Sequence, residues 1–193
     1  MTVWQLFTYR LPQQPSSARV AVWRQLRRIG SMPLGQGVVV VPEVEGLTAR
    51  LDAVEAKVEA ADGVSWRFRL SDLEPAEDDR LREEWNELRR AEYAEVVDEC
   101  RGTFERQIEF DLFRSNLTAG RVEELEAELD RLRAAARRVA ERDHFEAGHD
   151  EVDDALQRCE QLLGDFVERV YEADGHDELD GLLDDHPMAD GGP

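Results

Sequence analysis

Apolar and polar positions recur at two periods along this chain, and the change from one period to the other divides it. Residues 3–9 are apolar on both alternations, with Trp4 and Leu6 on one side and Val3, Phe7 and Tyr9 on the other. That pattern predicts an interior strand covered on both faces. It ends at Arg10-Leu11-Pro12. Pro15 then precedes Ser16 and Ser17, good N-cap residues, and Gly30 follows Ile29, so a helix of about three and a half turns fits between. Val22, Leu26 and Ile29 make its inward face, Arg24, Arg27 and Arg28 fall opposite, and Arg19 lies at the flank near the start. Residues 31–34 predict a short strand, Gly35-Gln36-Gly37 a hairpin turn, and Val38, Val39, Val40 and Val41 a buried strand. Val44, Leu47, Leu51, Val54, Val58 and Ala61 recur by threes and fours, which predicts a helix over 44–61 closed by Asp62-Gly63. Trp66, Phe68 and Leu70 alternate with Ser65, Arg67 and Arg69 as in a half-exposed strand.

Strand, helix, strand, strand, helix, strand over about 70 residues is the split βαβ arrangement called ferredoxin-like, in which two helices cover one face of a four-stranded antiparallel sheet. The other face needs a cover, supplied either by the rest of the chain or by a second copy, and a homodimer is expected. From Pro75 the pattern becomes helical. Leu81, Trp85, Leu88, Tyr93, Val97, Cys100, Phe104 and Ile108 form a drifting stripe, and residues 110–118 read as a connector whose Thr118 can cap the next helix. Val122, Leu125, Leu129, Leu132, Ala136 and Val139 then repeat by threes and fours, as do Val152, Leu156, Cys159, Leu163, Phe166 and Val170. Joined through residues 143–148, these seams predict an antiparallel helical hairpin packed with the first long helix. Residues after Asp174 are acidic, glycine-containing and aperiodic, which predicts a disordered tail. The expected fold class is α+β: a ferredoxin-like head over 1–72, an appended helical extension over 73–174 and an acidic tail over 175–193.

Charge sharpens the division. The 193 residues carry a formal net charge of −20. Residues 1–72 hold nine basic and seven acidic side chains, so 15 of the 24 basic and 37 of the 44 acidic groups lie beyond them; the head is +2 and the remainder −22. Spread evenly, such charge would repel nucleic acid and anionic membrane. Partitioned in this way, it leaves the head able to meet an anion locally. The two cysteines, Cys100 and Cys159, lie far apart in helical patterns, cannot form a framework of bridges, and fit a reducing cytoplasm. No basic segment with a following apolar run opens the sequence, and no apolar stretch approaches the ~20 residues of a membrane helix. A soluble, unexported, cytoplasmic protein with no membrane partner is expected.

A strand ending in a Pro dipeptide, an Arg-rich helix and a Gly-turn with an apolar strand resemble the Cas2-like ferredoxin module that also occurs in PaaX-type transcription regulators. A closer pattern is made by Tyr9-Arg10-Leu11-Pro12, Ser16, Arg19, Val22-Trp23-Arg24, Leu26, Gly30, Gly37 and Pro42, and late in the chain by Arg142-Asp143, Phe145, Arg158-Cys159-Glu160, Phe166 and Arg169-Val170-Tyr171. Together these resemble the N-terminal domain of the ChrB chromate resistance proteins. The resemblance implies a role in chromate resistance, in which ChrB proteins act as chromate-responsive regulators of the exporter operon. Longer members carry a C-terminal domain beyond the point where this sequence stops.

Chromate is a tetrahedral dianion shaped like sulfate, and a helix N-terminus with free N–H groups and nearby guanidiniums suits it. Arg10, Ser16, Ser17 and Arg19 are therefore the candidate anion-binding residues. The alternative is that Arg10 and Arg19 pair with carboxylates of the acidic extension, exposed pairs worth roughly 0–1 kcal/mol. Arg24, Arg27 and Arg28 are candidate contacts to DNA phosphates, the promoter of the protein's own operon being the implied DNA, against the alternative of a solvated face. Cas2-type nucleases place a metal-holding aspartate after the first strand; Arg10 stands in that region and repels a cation, so no metal-dependent nuclease is expected. Cys100 and Cys159 lie on apolar stripes, where a cysteine is a small inert hydrophobe and not a chromate reductant. His144 and His149, five residues apart in a connector, read as loop histidines. No catalytic residue, metal or cofactor is expected. The function expected is that of a non-enzymatic regulator or sensor of chromate or a similar oxyanion, acting on DNA or on a regulator. Its rival is an acidic protein–protein interaction scaffold that touches neither DNA nor anion and suits a basic partner.

Overall fold

The computed structural model describes residues 1–14 and 16–184, with side chains placed through residue 174. The sheet unit contains β1 (Trp4–Arg10), α1 (Ser16–Arg28), β2 (Met32–Gly35), β3 (Val38–Pro42), α2 (Leu47–Glu59) and β4 (Val64–Leu70). All strand pairs are antiparallel, in the order β2-β3-β1-β4, which is the ferredoxin-like arrangement. After the sheet come α3 (Pro75–Glu99), a π-helical turn (Cys100–Glu105), α4 (Arg106–Phe113), α5 (Ala119–Ala140) and α6 (Asp150–Asp184), so the fold is α+β with a helical extension. By packing, Met1–Arg89 and Arg142–Ala147 form one compact unit; Arg90–Glu141 and the described residues from Gly148 on form another.

In the first unit β1 is apolar on both sides because both of its faces are covered. Phe7 lies with Val39 and Val41 under α1 and α2, whose Val22, Leu26, Leu51, Val54 and Val58 complete that core. On the reverse face Trp4, Met32, Val40 and Trp85 are buried, with Leu70, Leu81, Leu88 and Phe145 packed against them. Trp4 also donates its indole N–H to Asp78 at 2.8 Å, and the buried Asp78 carboxylate takes the Thr2 amide at 3.0 Å. The start of α3 thus covers the Trp4 end of the sheet. β4 is half-exposed, but its aromatic side is the one facing out. Trp66 and Phe68, in register with Thr8 and Leu6, are each 50% exposed. Arg67, in register with Phe7, lies on the helix-covered face, where Asp52 (2.7 Å) and Glu55 (3.0 Å) of α2 neutralise it.

The second unit is built around one core. α3, the π-turn and α4 contribute Val97, Cys100, Phe104 and Ile108; α5 contributes Leu125, Leu129 and Leu132; α6 contributes Val152, Cys159, Leu163 and Phe166. Apolar residues four apart carry a stripe round an α-helix by about 40° per step. The wider π-turn absorbs that drift at Cys100, Phe104 and Ile108, so the stripe keeps facing one core. Residues 110–113 complete α4 instead of joining the connector, which shrinks to 114–118. Thr118 caps α5, its hydroxyl accepting from the Arg121 amide at 3.2 Å. Asp111, 3% exposed, fastens this corner by accepting from Asn116 Nδ2 (3.0 Å) and Arg121 Nε (2.5 Å). α6 runs to Asp184, so residues 175–184, placed in the acidic tail by their composition, are helical; no proline interrupts the chain there. The rest of that tail, 185–193, lies outside the described residues.

Candidate functional site

The carboxyl end of β1 is fixed from both sides by glycines. Gly37, at φ +71, approaches so closely that an added Cβ would lie 2.5 Å from the Tyr9 carbonyl oxygen, and the Tyr9 amide donates to the Gly37 carbonyl at 2.8 Å. Opposite it, a Cβ on Gly63 would come within 2.8 Å of the Arg10 carbonyl oxygen and 2.7 Å of Leu11 Cδ2. Only glycine tolerates such backbone approach. Arg10 is exposed at this strand end.

α1 begins at Ser16, so Ser16 and Ser17 are its first residues and do not stand ahead of it; Pro15 lies outside the described residues. Both serines are exposed, as is Arg19 one turn further on. No hydrogen bond links Arg10, Ser16, Ser17 and Arg19 among the described residues: the fold sets them on the ends of consecutive elements. Arg24, Arg27 and Arg28 are exposed, while Val22 and Leu26 of the same helix are buried. The outer face also shows Val20 (41% exposed) and Trp23 (53%), with the Arg27 guanidinium 5.5 Å from the Trp23 ring centre. α1 contains no acidic residue, and among the described residues none of its four arginines, nor Arg10, is in an ion pair. Lys57 of α2, hydrogen-bonded to Gln25, adds a cation beside them. A chain with a net charge of −20 thus presents a purely cationic and partly aromatic helix face.

A second constellation was not foreseen from periodicity. Residues 142–147 return to the sheet unit and are clamped there. Trp85 Nε1 donates to the Arg142 carbonyl (3.2 Å), and Asn86 Nδ2 donates to that of Phe145 (3.4 Å). Arg89, only 2% exposed, donates to the Gly30 carbonyl (3.1 Å) and lies 4.9 Å from the Trp85 ring centre. Gly30, at φ +76, leaves the room: a Cβ there would meet Arg142 Cδ at 2.7 Å and Arg89 Nη1 at 2.8 Å. Reading Trp85 and Leu88 as one stripe with Tyr93 passed over Arg89 and Asp78, because a buried charge leaves no apolar signal. The available clue was the recurrence of Gly30 with Arg142-Asp143 and Phe145 in one motif pattern.

His144 sits half-buried beside Trp85 (ring centres 6.1 Å apart); burial and then the Arg89 charge hold its pKa below the ordinary imidazole value, against the pull of Asp143. His149 contacts Asp153 at 2.6 Å. Among the described residues no group of His, Cys, Asp and Glu is arranged to hold a metal, and no helix is long and apolar enough to cross a membrane.

These features define an α+β protein with a ferredoxin-like head, one of whose two covering helices carries an outward cationic face. The family model described as Protein ChrB, N-terminal, matches residues 19–177, and the chain belongs to that family. It is similar to Protein ChrB of Cupriavidus metallidurans (strain CH34), being 31% identical over an alignment 125 residues long that covers 62% of this chain and 37% of that protein. The chain therefore spans little more than a third of the length of this curated relative. Arg19, Arg24, Arg27 and Arg28 lie within the family match; Arg10, Ser16 and Ser17 precede it.

Proposed function

We propose that this chain is a non-enzymatic regulatory or sensing protein of chromate or related oxyanion resistance, acting in the cytoplasm on DNA of its own operon. Family membership supports the link to chromate resistance. The observation that carries the DNA-facing part is the acid-free outer face of α1, whose arginines are solvated and unpaired in an otherwise acidic chain. Phosphate contacts require such cations. On this reading Arg10, Ser16, Ser17 and Arg19 form the oxyanion site, guanidiniums and a helix start suiting a tetrahedral dianion, so anion and DNA compete for one electropositive helix. The half-exposed Trp66 and Phe68 support a homodimer in which a second copy covers the open part of the sheet.

The test is fluorescence anisotropy of labelled DNA from the gene's upstream region, titrated at two salt concentrations with and without chromate. Saturable, salt-sensitive binding weakened by chromate is expected; no binding at micromolar protein contradicts the proposal. A specific feature favours the rival scaffold role. α5 and α6 border an open groove of about 650 Å³ lined by the apolar Leu129, Leu163 and Val167 and by Glu126, Asp130, Glu160 and Glu168, with Arg133 bridging Asp130 and Glu160, so that the lining stays net acidic and suits a basic amphipathic helix.

A further inference from the structure

Gly164 stands in the interior of α6 and lines the open groove bordered by α5 and α6. A glycine inside a helix is unfavourable beside alanine. Its own fold makes no demand for one here, since the residue is exposed and an added Cβ would meet nothing within 4 Å. The space over it is open to a group from outside that comes close to the helix backbone. Leu129, Leu163 and Val167 give the surrounding groove an apolar lining, and four carboxylates, those of Glu126, Asp130, Glu160 and Glu168, face one guanidinium, that of Arg133. An occupant therefore needs an apolar anchor with cations beside it.

The outer face of α1 has that composition. Val20, Trp23, Arg24 and Arg27 follow at the i, i+3, i+4 and i+7 positions of one helix face, Val20 and Trp23 are 41% and 53% exposed, and the helix has no acidic residue. Val20 to Arg27 spans about 10 Å of helical rise, against about 12 Å from Glu160 to Glu168 and about 10 Å from Glu126 to Arg133. Length, polarity and charge agree, and tryptophan and arginine are the side chains that most often anchor a protein interface. We propose that the groove takes the outer face of α1 from a second copy of this chain, with Trp23 seated over Gly164 and the arginines paired with the groove carboxylates. The two surfaces differ, so the contact is heterologous and joins copies head to tail, unlike a dimer through the sheet face of Trp66 and Phe68. It gives the acidic groove of the scaffold reading a definite occupant and rests on that reading for the groove alone. Where α1 also serves DNA, a second copy and DNA exclude one another.

The sequence holds one lysine, Lys57, exposed beside α1 and hydrogen-bonded to Gln25. Carbodiimide, which couples an amine to a carboxylate in contact with it, therefore reports what lies against α1. An equal mixture of unlabelled and nitrogen-15-labelled intact protein is treated at about 150 mM salt, where two chains at −20 repel over only about 8 Å. Expected are a covalent dimer on a denaturing gel and a mixed-isotope peptide joining Lys57 to Glu126, Asp130, Glu160 or Glu168. Arg27→Lys with Lys57→Arg moves the amine onto the docking face itself and should reach the same carboxylates. Gly164→Leu fills the groove while favouring the helix, so the dimer should fall at least about five-fold with circular dichroism unchanged, and Trp23→Ser should act alike. Trp66→Ser with Phe68→Ser should leave the yield intact. Mixed-isotope links from neither amine, links only within one copy, links only to carboxylates outside the groove, or an undiminished dimer in Gly164→Leu overturn the proposal, as does loss of the dimer in the sheet variant. Neither DNA nor chromate is present, so failure here leaves the DNA reading standing, and binding of an unrelated basic helix by a groove that takes no second copy leaves the scaffold reading standing.

Discussion

Replacing Arg24, Arg27 and Arg28 together by Ala probes the proposed DNA face most directly. The three are exposed on α1 and pair with no carboxylate among the described residues, so their removal breaks no ion pair of the fold. Ala on an exposed helical face preserves helicity. Arg24 and Arg28 are separated by about 6 Å of helical rise, with Arg27 between, a span that matches two to three phosphates of one strand at about 3.4 Å each. Each neutralised phosphate contributes roughly 0.9 to the slope of log K against log salt, so the triple variant is expected to lose about 2 to 3 from that slope. Between about 50 and 200 mM salt this makes the wild-type affinity fall some 12- to 40-fold more than that of the variant. The control is Arg106, Arg137 and Arg138 to Ala, three exposed arginines of α4 and α5, which gives the same change in net charge, from −20 to −23. Anisotropy titrations at four salt concentrations read the slopes, and circular dichroism confirms the fold. An unchanged slope in the α1 variant, or an equal loss in the control, refutes α1 as the contact face.

Four further outcomes follow from particular contacts. Arg10→Ala with Arg19→Ala should abolish a chromate-induced rise in melting temperature while the protein stays folded; an undiminished rise removes the anion site from β1 and α1. Gly37→Ala drives a Cβ to 2.5 Å from the Tyr9 carbonyl oxygen at φ +71 and should cost about 2 kcal/mol or more in urea unfolding, so a loss under about 0.5 contradicts the close approach. Asp111→Ala strips a buried acceptor from Arg121, Asn116 and Gln107, and because Arg121 keeps exposed Glu124 the expected cost is about 2–4 kcal/mol. Burial pushes the Asp111 pKa up, but hydrogen bonds from Asn116, Arg121 and Gln107 outweigh it and hold the group below its ordinary value of 3.8. Its contribution is thus complete above about pH 5 and lost as pH falls through the lower folded pKa; a variant whose acid unfolding parallels the wild type contradicts this. Trp66→Ser with Phe68→Ser should turn a dimer into a monomer in sedimentation velocity, and a wild-type monomer would count against the proposed second copy.

Much of the head is legible in the sequence because each element satisfies its own period. Val22, Leu26 and Ile29 fix the inward side of α1, and this alone turns Arg24, Arg27 and Arg28 to solvent. What the sequence withholds depends on register between distant segments. Alternation in β4 marks Trp66 and Phe68 as one side, yet which side faces the helices is set by pairing with β1 and by Asp52 and Glu55 on α2, which make Arg67 tolerable on the covered face. Similarly, Cys100 reads as an ordinary stripe residue; the π-turn that it opens is revealed by no helical period. Arg89 and Asp78 look like surface charges until Gly30 and Trp4 supply their partners.

On the proposed reading, the acidic remainder changes how the arginines of α1 work. At physiological salt a charge is felt over about 8 Å, so a chain at −20 meets a polyanion with repulsion at the edge of contact and attraction only where α1 touches. Non-specific association is disfavoured, because most orientations present acid to the phosphates. Salt then has two opposed effects: it weakens the arginine–phosphate contacts and it screens the repulsion. The measured slope of the wild type must fall below the number of phosphates actually neutralised, and a shallow slope is no argument against phosphate contact in this protein. The two triple variants carry the same net charge, so the difference between their slopes isolates the local contribution of α1 from the field of the whole chain.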